Sequence, residues 1–253
     1  MLEQPTIEKL HAMQLGALAQ AFKEQLDDPV MDELPFAQRF GLMVDRLWIW
    51  REDKRLRRLL KNAKLKVQAC PEDIDYRTPR GIDKSVLLAL LSCSWIPKHQ
   101  NVLITGPTGV GKTFIACALA QKACREGITV LYSRAPRLYH DLAIAKADGS
   151  HAKLMERLAR TKVLLIDDFG LAPMTDPERR NLLEVIEDRH LTASTILTSQ
   201  LPLDNWHEVI GDPTLADAIL DRLVHNSHKI ALKGESMRKR RSTLTETQDC
   251  EKP

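Results

Sequence analysis

Residues 106–113 read Gly106-Pro107-Thr108-Gly109-Val110-Gly111-Lys112-Thr113. They match the Walker A pattern and directly follow the apolar run 101–105. Such a loop binds phosphate when it lies between a buried strand and a helix, and here the helix is expected to begin near Gly111. The position of the motif therefore predicts an α/β core organised around this turn.

The chemistry of this loop predicts a nucleoside triphosphate as its ligand. Successive backbone N–H groups of this turn can form a concave anion site, to which the helix N-terminus adds unpaired donors and partial positive charge. Lys112 can reach the β- and γ-phosphates, and the Thr113 hydroxyl can ligate Mg²⁺.

A second motif, residues 162–170, is an apolar run that ends in Asp167 and Asp168. This is the Walker B pattern, and a parallel sheet would bring its carboxyl end beside the phosphate loop. We expect Asp167 to hold Mg²⁺ through water and Asp168 to orient or deprotonate an attacking water. Many related ATPases carry Glu at the second position, and the shorter Asp suggests slow or partner-dependent turnover.

Composition predicts a soluble cytoplasmic protein with no membrane segment. The chain has 253 residues and a net charge of +3. No apolar stretch approaches the roughly 18–20 residues that span a bilayer, and the N-terminus lacks an export signal. The five cysteines form no Cys-x-x-Cys pair, which favours free thiols in a reducing compartment.

Charge is concentrated in residues 46–66, which hold nine Lys and Arg against Glu52 and Asp53. On a helical wheel the apolar residues share one arc, which we expect to pack. These are Trp48, Ile49, Leu56, Leu59, Leu60, Ala63 and Val67. The opposite arc lacks i,i+4 carboxylates and carries the cations Arg51, Lys54, Arg55, Arg58 and Lys61. Nucleic acid phosphate, as double-stranded DNA, is the favoured partner, and a merely solvated face is the alternative.

The remaining pattern divides the chain into four parts. Residues 1–70 are predicted to form a helical DNA-binding or partner domain, with one helix over 6–26 and a longer run from Pro35 that breaks or bends near 45–51. Residues 71–98 are predicted as a linker and lead-in helix. Alternating strands and helices over 99–241 predict a parallel sheet flanked by helices, and 242–253 a disordered tail.

Taken together, these motifs resemble the IstB-type ATPases, AAA+ helper proteins encoded beside the transposases of certain insertion sequences. The resemblance covers residues 1 to about 241 and includes Thr-Pro-Arg-Gly (78–81), the Asp-Asp pair, Thr-Ser-Gln (198–200) and Ile-Leu-Asp-Arg-Leu (219–223). It implies ATP and Mg²⁺ as cofactors, assembly on duplex DNA, and recruitment or activation of a cognate transposase.

The same resemblance implies three further site residues. Gln200 matches the sensor I position, and Arg222 matches an arginine finger that acts on a neighbouring subunit. Arg238 resembles sensor II, although little sequence follows it, so the usual AAA+ lid is expected to be reduced or absent. A site shared in this way implies a head-to-tail homo-oligomer, either a ring or a filament.

Three alternatives remain open from the sequence. A DnaC-type helicase loader has the same core. A P-loop metabolite kinase would need a small-molecule pocket and a lid that the sequence does not supply. A DNA scaffold gated by nucleotide would bind ATP without hydrolysing it.

Overall fold

A computed structural model of the chain describes residues 3–237. Its helices are α1 (Glu3–Ala12), α2 (Gly16–Asp27), α3 (Phe36–Ala63), α4 (Lys84–Leu91), α5 (Lys112–Arg125), α6 (Ala135–Asp148), α7 (His151–Arg160), α8 (Asp176–Arg189), α9 (Trp206–Ile210) and α10 (Pro213–Val224). Its strands are β1 (Asn101–Thr105), β2 (Val130–Arg134), β3 (Val163–Phe169), β4 (Ser194–Ser199) and β5 (Ser227–Ala231). Among these residues no helix has the length and apolar character needed to cross a bilayer.

The five strands form one parallel sheet in the order β2-β3-β4-β1-β5. Every residue of β1 and β4 is buried, as expected for central strands covered on both faces by helices. The predicted α/β core with flanking helices is thereby confirmed. Because β4 lies between β1 and β3, the strands that precede the two Walker motifs are not direct neighbours.

The chain divides into two compact units, Met1–Arg58 and Leu59–Pro253. In the first unit the predicted single helix over 6–26 is wrong, because Gln14 adopts φ +59° and the chain starts a new helix at Gly16. A break near 45–51 does not occur, since α3 runs without interruption. The division falls inside α3, and the functional boundary at residue 70 stays a prediction.

The surface of α3 differs from the expected one in two respects. Leu59 and Ala63 are buried as predicted, but Trp48 and Ile49 are 66% and 65% exposed. The apolar arc therefore does not pack along its whole length. The cationic arc also has a nearby carboxylate, because Arg55 pairs with Glu52 at 3.8 Å.

Candidate functional site

The phosphate loop follows β1 and is held by close backbone packing. A Cβ at Gly106 would lie 2.4 Å from the carbonyl oxygen of Leu232, and one at Gly109 would lie 2.1 Å from the Ser236 hydroxyl. Both glycines also have positive φ, +143° and +86°. Glycine is required here because the segment after β5 lies directly against the loop.

Lys112 begins α5 and folds back over this loop. Its ammonium group donates to the carbonyl oxygens of Gly106 and Pro107 at 2.7 and 2.8 Å. The next side chain, Thr113, donates its hydroxyl to Asp167 Oδ1 at 2.8 Å. The two Walker motifs are thus in direct contact, although their strands are separated by β4.

A register shift in the sheet determines where the paired carboxylates point. Ile166 pairs with Leu197 and Phe169 pairs with Ser199, so Asp167 and Asp168 together stand opposite Thr198. This bulge places Asp168 at φ +61°, an uncommon conformation for a residue with a side chain. Its backbone N–H donates to the Thr198 hydroxyl at 3.1 Å, so one threonine contacts both halves of the pair.

Asp167 is fully buried, with three hydroxyl donors around its carboxylate. Thr198 donates at 2.5 Å, Thr113 at 2.8 Å and Tyr132 at 2.9 Å. Burial acts to raise the pKa of Asp167, but these hydrogen bonds outweigh it and hold that pKa below its usual range. The carboxylate therefore stays charged and able to bind a cation.

Asp168 lies nearer the solvent and contacts a cation that was not predicted from the sequence. Its side chain is 18% exposed, and Arg134 Nε at the end of β2 donates to its Oδ2 at 2.9 Å. Nothing in the sequence near Arg134 resembles a motif. Only the pairing of β2 with β3, where Arg134 stands opposite Asp167, brings it to the site.

Gln200, at the end of β4, is brought into the same site. Its side-chain oxygen accepts a hydrogen bond from the Thr108 hydroxyl of the phosphate loop at 2.7 Å. The amide group therefore lies between the loop and the strand that carries Thr198.

A cavity of about 410 Å³ is lined by several of these side chains, namely Thr108, Lys112, Thr113, Arg134, Asp168 and Gln200. It is also lined by Lys66, Asp75 and Arg80 from the segment before α4 and by Met237. Arg80 is buried and donates to Val110 O at 3.0 Å and Asp75 O at 2.5 Å. The Thr-Pro-Arg-Gly sequence contained this residue, but its approach to the phosphate loop depends on a long-range contact.

The residues around this cavity fit a magnesium–nucleotide complex. The cavity has the volume of a small-molecule site and has Lys112, Lys66, Arg80 and Arg134 in its lining. Thr113 and Asp167 offer a hydroxyl and a carboxylate oxygen 2.8 Å apart, and oxygen ligands of this kind suit Mg²⁺. The loop carries no side chain at Gly106 or Gly109, where a Cβ would meet the segment after β5.

Arg222 is not part of this cavity. It donates to Ala218 O at 2.7 Å and to Glu187 Oε1 at 2.8 Å, and its own carbonyl oxygen accepts from Asn101 at the start of β1. The phosphate loop lies at the other end of that strand. Arg238 and the predicted tail lie outside the described residues. The part of the chain in which an AAA+ lid would follow lies outside them as well.

The five predicted DNA-contacting cations, Arg51, Lys54, Arg55, Arg58 and Lys61, are all exposed. Lys54 stacks over the Trp50 ring with its ammonium 4.7 Å from the ring centroid. They lie along one helix, α3, and their contact with DNA stays a prediction.

Comparison with known proteins extends the sequence evidence. Residues 8–245 match the family described as IstB-like ATP binding protein. An insertion-sequence ATP-binding protein of Sinorhizobium fredii is 49% identical over 239 residues, covering 94% of this chain and 98% of that protein. The ATP-binding protein of insertion sequence IS1162 from Pseudomonas fluorescens is 50% identical over 203 residues, covering 80% and 88% of the two chains.

Solved structures show the same fold at low identity. The DnaC helicase loader superposes with a TM-score of 0.51 at 19% identity, covering 59% of this chain and 87% of that one. DnaI superposes with a TM-score of 0.56 at 18% identity, covering 65% and 91%. These similarities confirm the fold predicted for the core and carry no conclusion about partners.

Proposed function

The chain belongs to the IstB-like ATP-binding protein family, and from this membership we propose that it is an ATP-dependent, DNA-binding helper of transposition. The observation that carries the proposal is the Thr113–Asp167 hydrogen bond at 2.8 Å, beside Asp168, Gln200 and the phosphate loop. Thr113, Asp168 and Gln200 line one cavity, and the hydrogen bond joins Asp167 to Thr113 at that cavity. The insertion-sequence relatives suggest the setting in which this site is used.

In this proposal the chain hydrolyses ATP with Mg²⁺ as cofactor. Lys112 and the loop amides bind the phosphates, and Thr113 and Asp167 hold the metal. Bound Mg²⁺ supplies positive charge that offsets the charge on the phosphates. Asp168 accepts a proton from, or orients, the attacking water, and the Gln200 amide positions that water. The contact of Asp168 with Arg134 at 2.9 Å must loosen for it to act as a base.

We further propose that the complete site forms between two copies of the chain. In this proposal Arg222, which does not line the cavity of its own chain, acts on the nucleotide of a neighbour. Such a contact joins two different surfaces and is therefore head-to-tail, giving a ring or a helical filament. Repetition of α3 along that assembly would add many weak phosphate contacts on double-stranded DNA. The assembly would then recruit or activate a transposase.

The decisive experiment measures steady-state ATP hydrolysis with and without duplex DNA, for the wild type and Asp168→Ala. We expect DNA to stimulate the wild type and the variant to bind ATP without turnover. Filter binding of labelled duplex by Lys112→Ala should show weak binding that ATP does not improve. Hydrolysis that DNA leaves unchanged, together with assembly independent of nucleotide, would reject the proposal.

The alternatives make different predictions in the same assays. A metabolite kinase would show no response to DNA. A non-hydrolysing scaffold would show nucleotide-dependent DNA binding but equal, negligible turnover for the wild type and Asp168→Ala. The likeness to helicase loaders is one of fold at 19% identity or less in the two structures compared, so it does not by itself favour a loading function.

A further inference from the structure

Lys66 contacts both acidic residues of the Walker B pair. Its ammonium group lies 3.5 Å from Asp167 Oδ2 and 3.7 Å from Asp168 Oδ2. The side chain is 39% exposed, whereas Asp167 is fully buried, so the lysine reaches in from the mouth of the cavity. The motifs give Lys66 no role, and it lies just beyond the end of α3.

The backbone around Lys66 is held in place. Lys64 directly follows the last residue of α3 and has φ +52°, which turns the chain at this point. Ala69 is fully buried, and backbone N–H groups of Lys66 and Val67 face the Cys117 sulfur of α5. A fixed backbone and a long, partly exposed side chain mean that the ammonium group can leave the carboxylates without unfolding the segment.

The position of Lys66 conflicts with a metal ion at the same carboxylates. Asp167 Oδ1 already accepts hydroxyls from Thr113 and Thr198, and Oδ2 accepts from Tyr132 while facing Lys66. A buried carboxylate needs a nearby cation. Without metal, Lys66 supplies it. A divalent ion placed between Thr113 and Asp167 would bring a like charge close to the ammonium group.

We propose that Lys66 is a built-in counter-cation that Mg²⁺ must displace when the nucleotide site fills. The inference rests on the proposed nucleotide function and adds a residue that sets the metal requirement of that site. In the empty site Lys66 faces both carboxylates and, together with Arg134 beside Asp168, balances their charge. In the filled site the metal takes over those carboxylates and the lysine is released towards solvent, beside the end of α3.

The test compares Lys66→Met, which keeps the aliphatic stem, with Lys66→Arg, which keeps the charge. The exposed Lys64, which does not line the cavity, supplies the matched control Lys64→Met. Binding of a fluorescent ATP analogue is titrated with Mg²⁺. Lys66→Met should lower the half-maximal Mg²⁺ concentration about fivefold, the factor for a contact of about 1 kcal/mol. Lys66→Arg and Lys64→Met should match the wild type.

An unchanged Mg²⁺ midpoint for Lys66→Met would overturn the inference. So would weaker analogue binding by this variant at saturating Mg²⁺, because Lys66 would then be a ligand of the nucleotide rather than a competitor of the metal. If the wild type binds no analogue at any Mg²⁺ concentration, the proposed function fails. In that case the role of Lys66 is tested by thermal denaturation with Mg²⁺ alone. The ion should raise the Tm of Lys66→Met more than the Tm of the wild type. Equal rises would refute the competition.

Discussion

Gln200 accepts a hydrogen bond from Thr108 at 2.7 Å, which links the end of β4 to the tip of the phosphate loop. In the proposed mechanism the glutamine turns from this contact towards water at the terminal phosphate. We therefore expect Gln200→Ala to lower the rate of ATP hydrolysis about 10- to 100-fold, with ATP affinity changed less than about threefold. Single-turnover kinetics and equilibrium binding measure the two quantities. Gln200→Glu, which has the same shape, separates loss of the amide from loss of volume.

Thr198 joins the two carboxylate residues by donating to Asp167 at 2.5 Å and accepting from the Asp168 N–H at 3.1 Å. Thr198→Val keeps the shape but leaves a buried N–H group without its acceptor. We expect a loss of about 1–3 kcal/mol in the free energy of unfolding, measured in urea, together with slower hydrolysis. Thr198→Ser keeps the hydroxyl and should retain hydrolysis. Equal loss of activity in both variants would contradict this role.

Gly106 lies where a side chain would meet the backbone of Leu232, with a Cβ only 2.4 Å from its carbonyl oxygen. Gly106→Ala should therefore displace the segment after β5 and destabilise the protein by more than about 2 kcal/mol. The matched control is Gly149→Ala. Gly149 also has positive φ, +80°, but has nothing within 4 Å of its Cβ position, so only backbone strain of about 1 kcal/mol is expected. Thermal denaturation of both variants compares the two costs.

Asp168 and Arg222 should act in different subunits of one shared site. Asp168→Ala and Arg222→Ala are each expected to be inactive in ATP hydrolysis. An equal mixture should regain about a quarter of wild-type activity, because that fraction of head-to-tail contacts pairs an intact Asp168 with an intact Arg222. The mixing is done before nucleotide is added, and the rate is followed against the mixing ratio. A mixture as inactive as its components would reject a site shared between subunits.

The exposed cations of α3 should determine affinity for duplex DNA. Exchanging Arg51, Lys54 and Arg58 for Gln removes three charges, so the slope of log affinity against log salt should fall by about three. Fluorescence anisotropy over a salt series measures this slope. Replacing three exposed lysines of the other unit, Lys98, Lys153 and Lys162, provides a control of equal charge. An unchanged slope in the α3 variant would show that these three side chains make no phosphate contacts and form only a solvated surface.

The parts of the site that consist of consecutive residues could be predicted from the sequence. The loop from Gly106 to Thr113 and the Asp167–Asp168 pair were predicted, together with the strands that carry them. Lys66 and Arg134 were not assigned, because their place at the site depends on a turn after α3 and on strand pairing. Periodicity could not reveal that Trp48 stays exposed, since an apolar arc indicates only which residues could pack.

Arg222 shows a second limit of prediction from the sequence, which concerns the partners of a side chain. The sequence implied a role in an adjacent subunit, and a single chain places it at the far end of β1, paired with Glu187 at 2.8 Å. Asp217 and Asp221 lie on the same helix as Arg222 and are nearer to it in sequence than Glu187 is. Those carboxylates instead pair with His207 and His225, because partners on neighbouring elements are set by packing.

The insertion of β4 between β1 and β3 has a consequence for protein engineering. If the loop or the acidic pair alone were transplanted into another nucleotide-binding scaffold, it would lose Thr198, which lies on the strand between them and contacts Asp167 and Asp168. A working chimera would have to exchange the three adjacent strands as a single cassette.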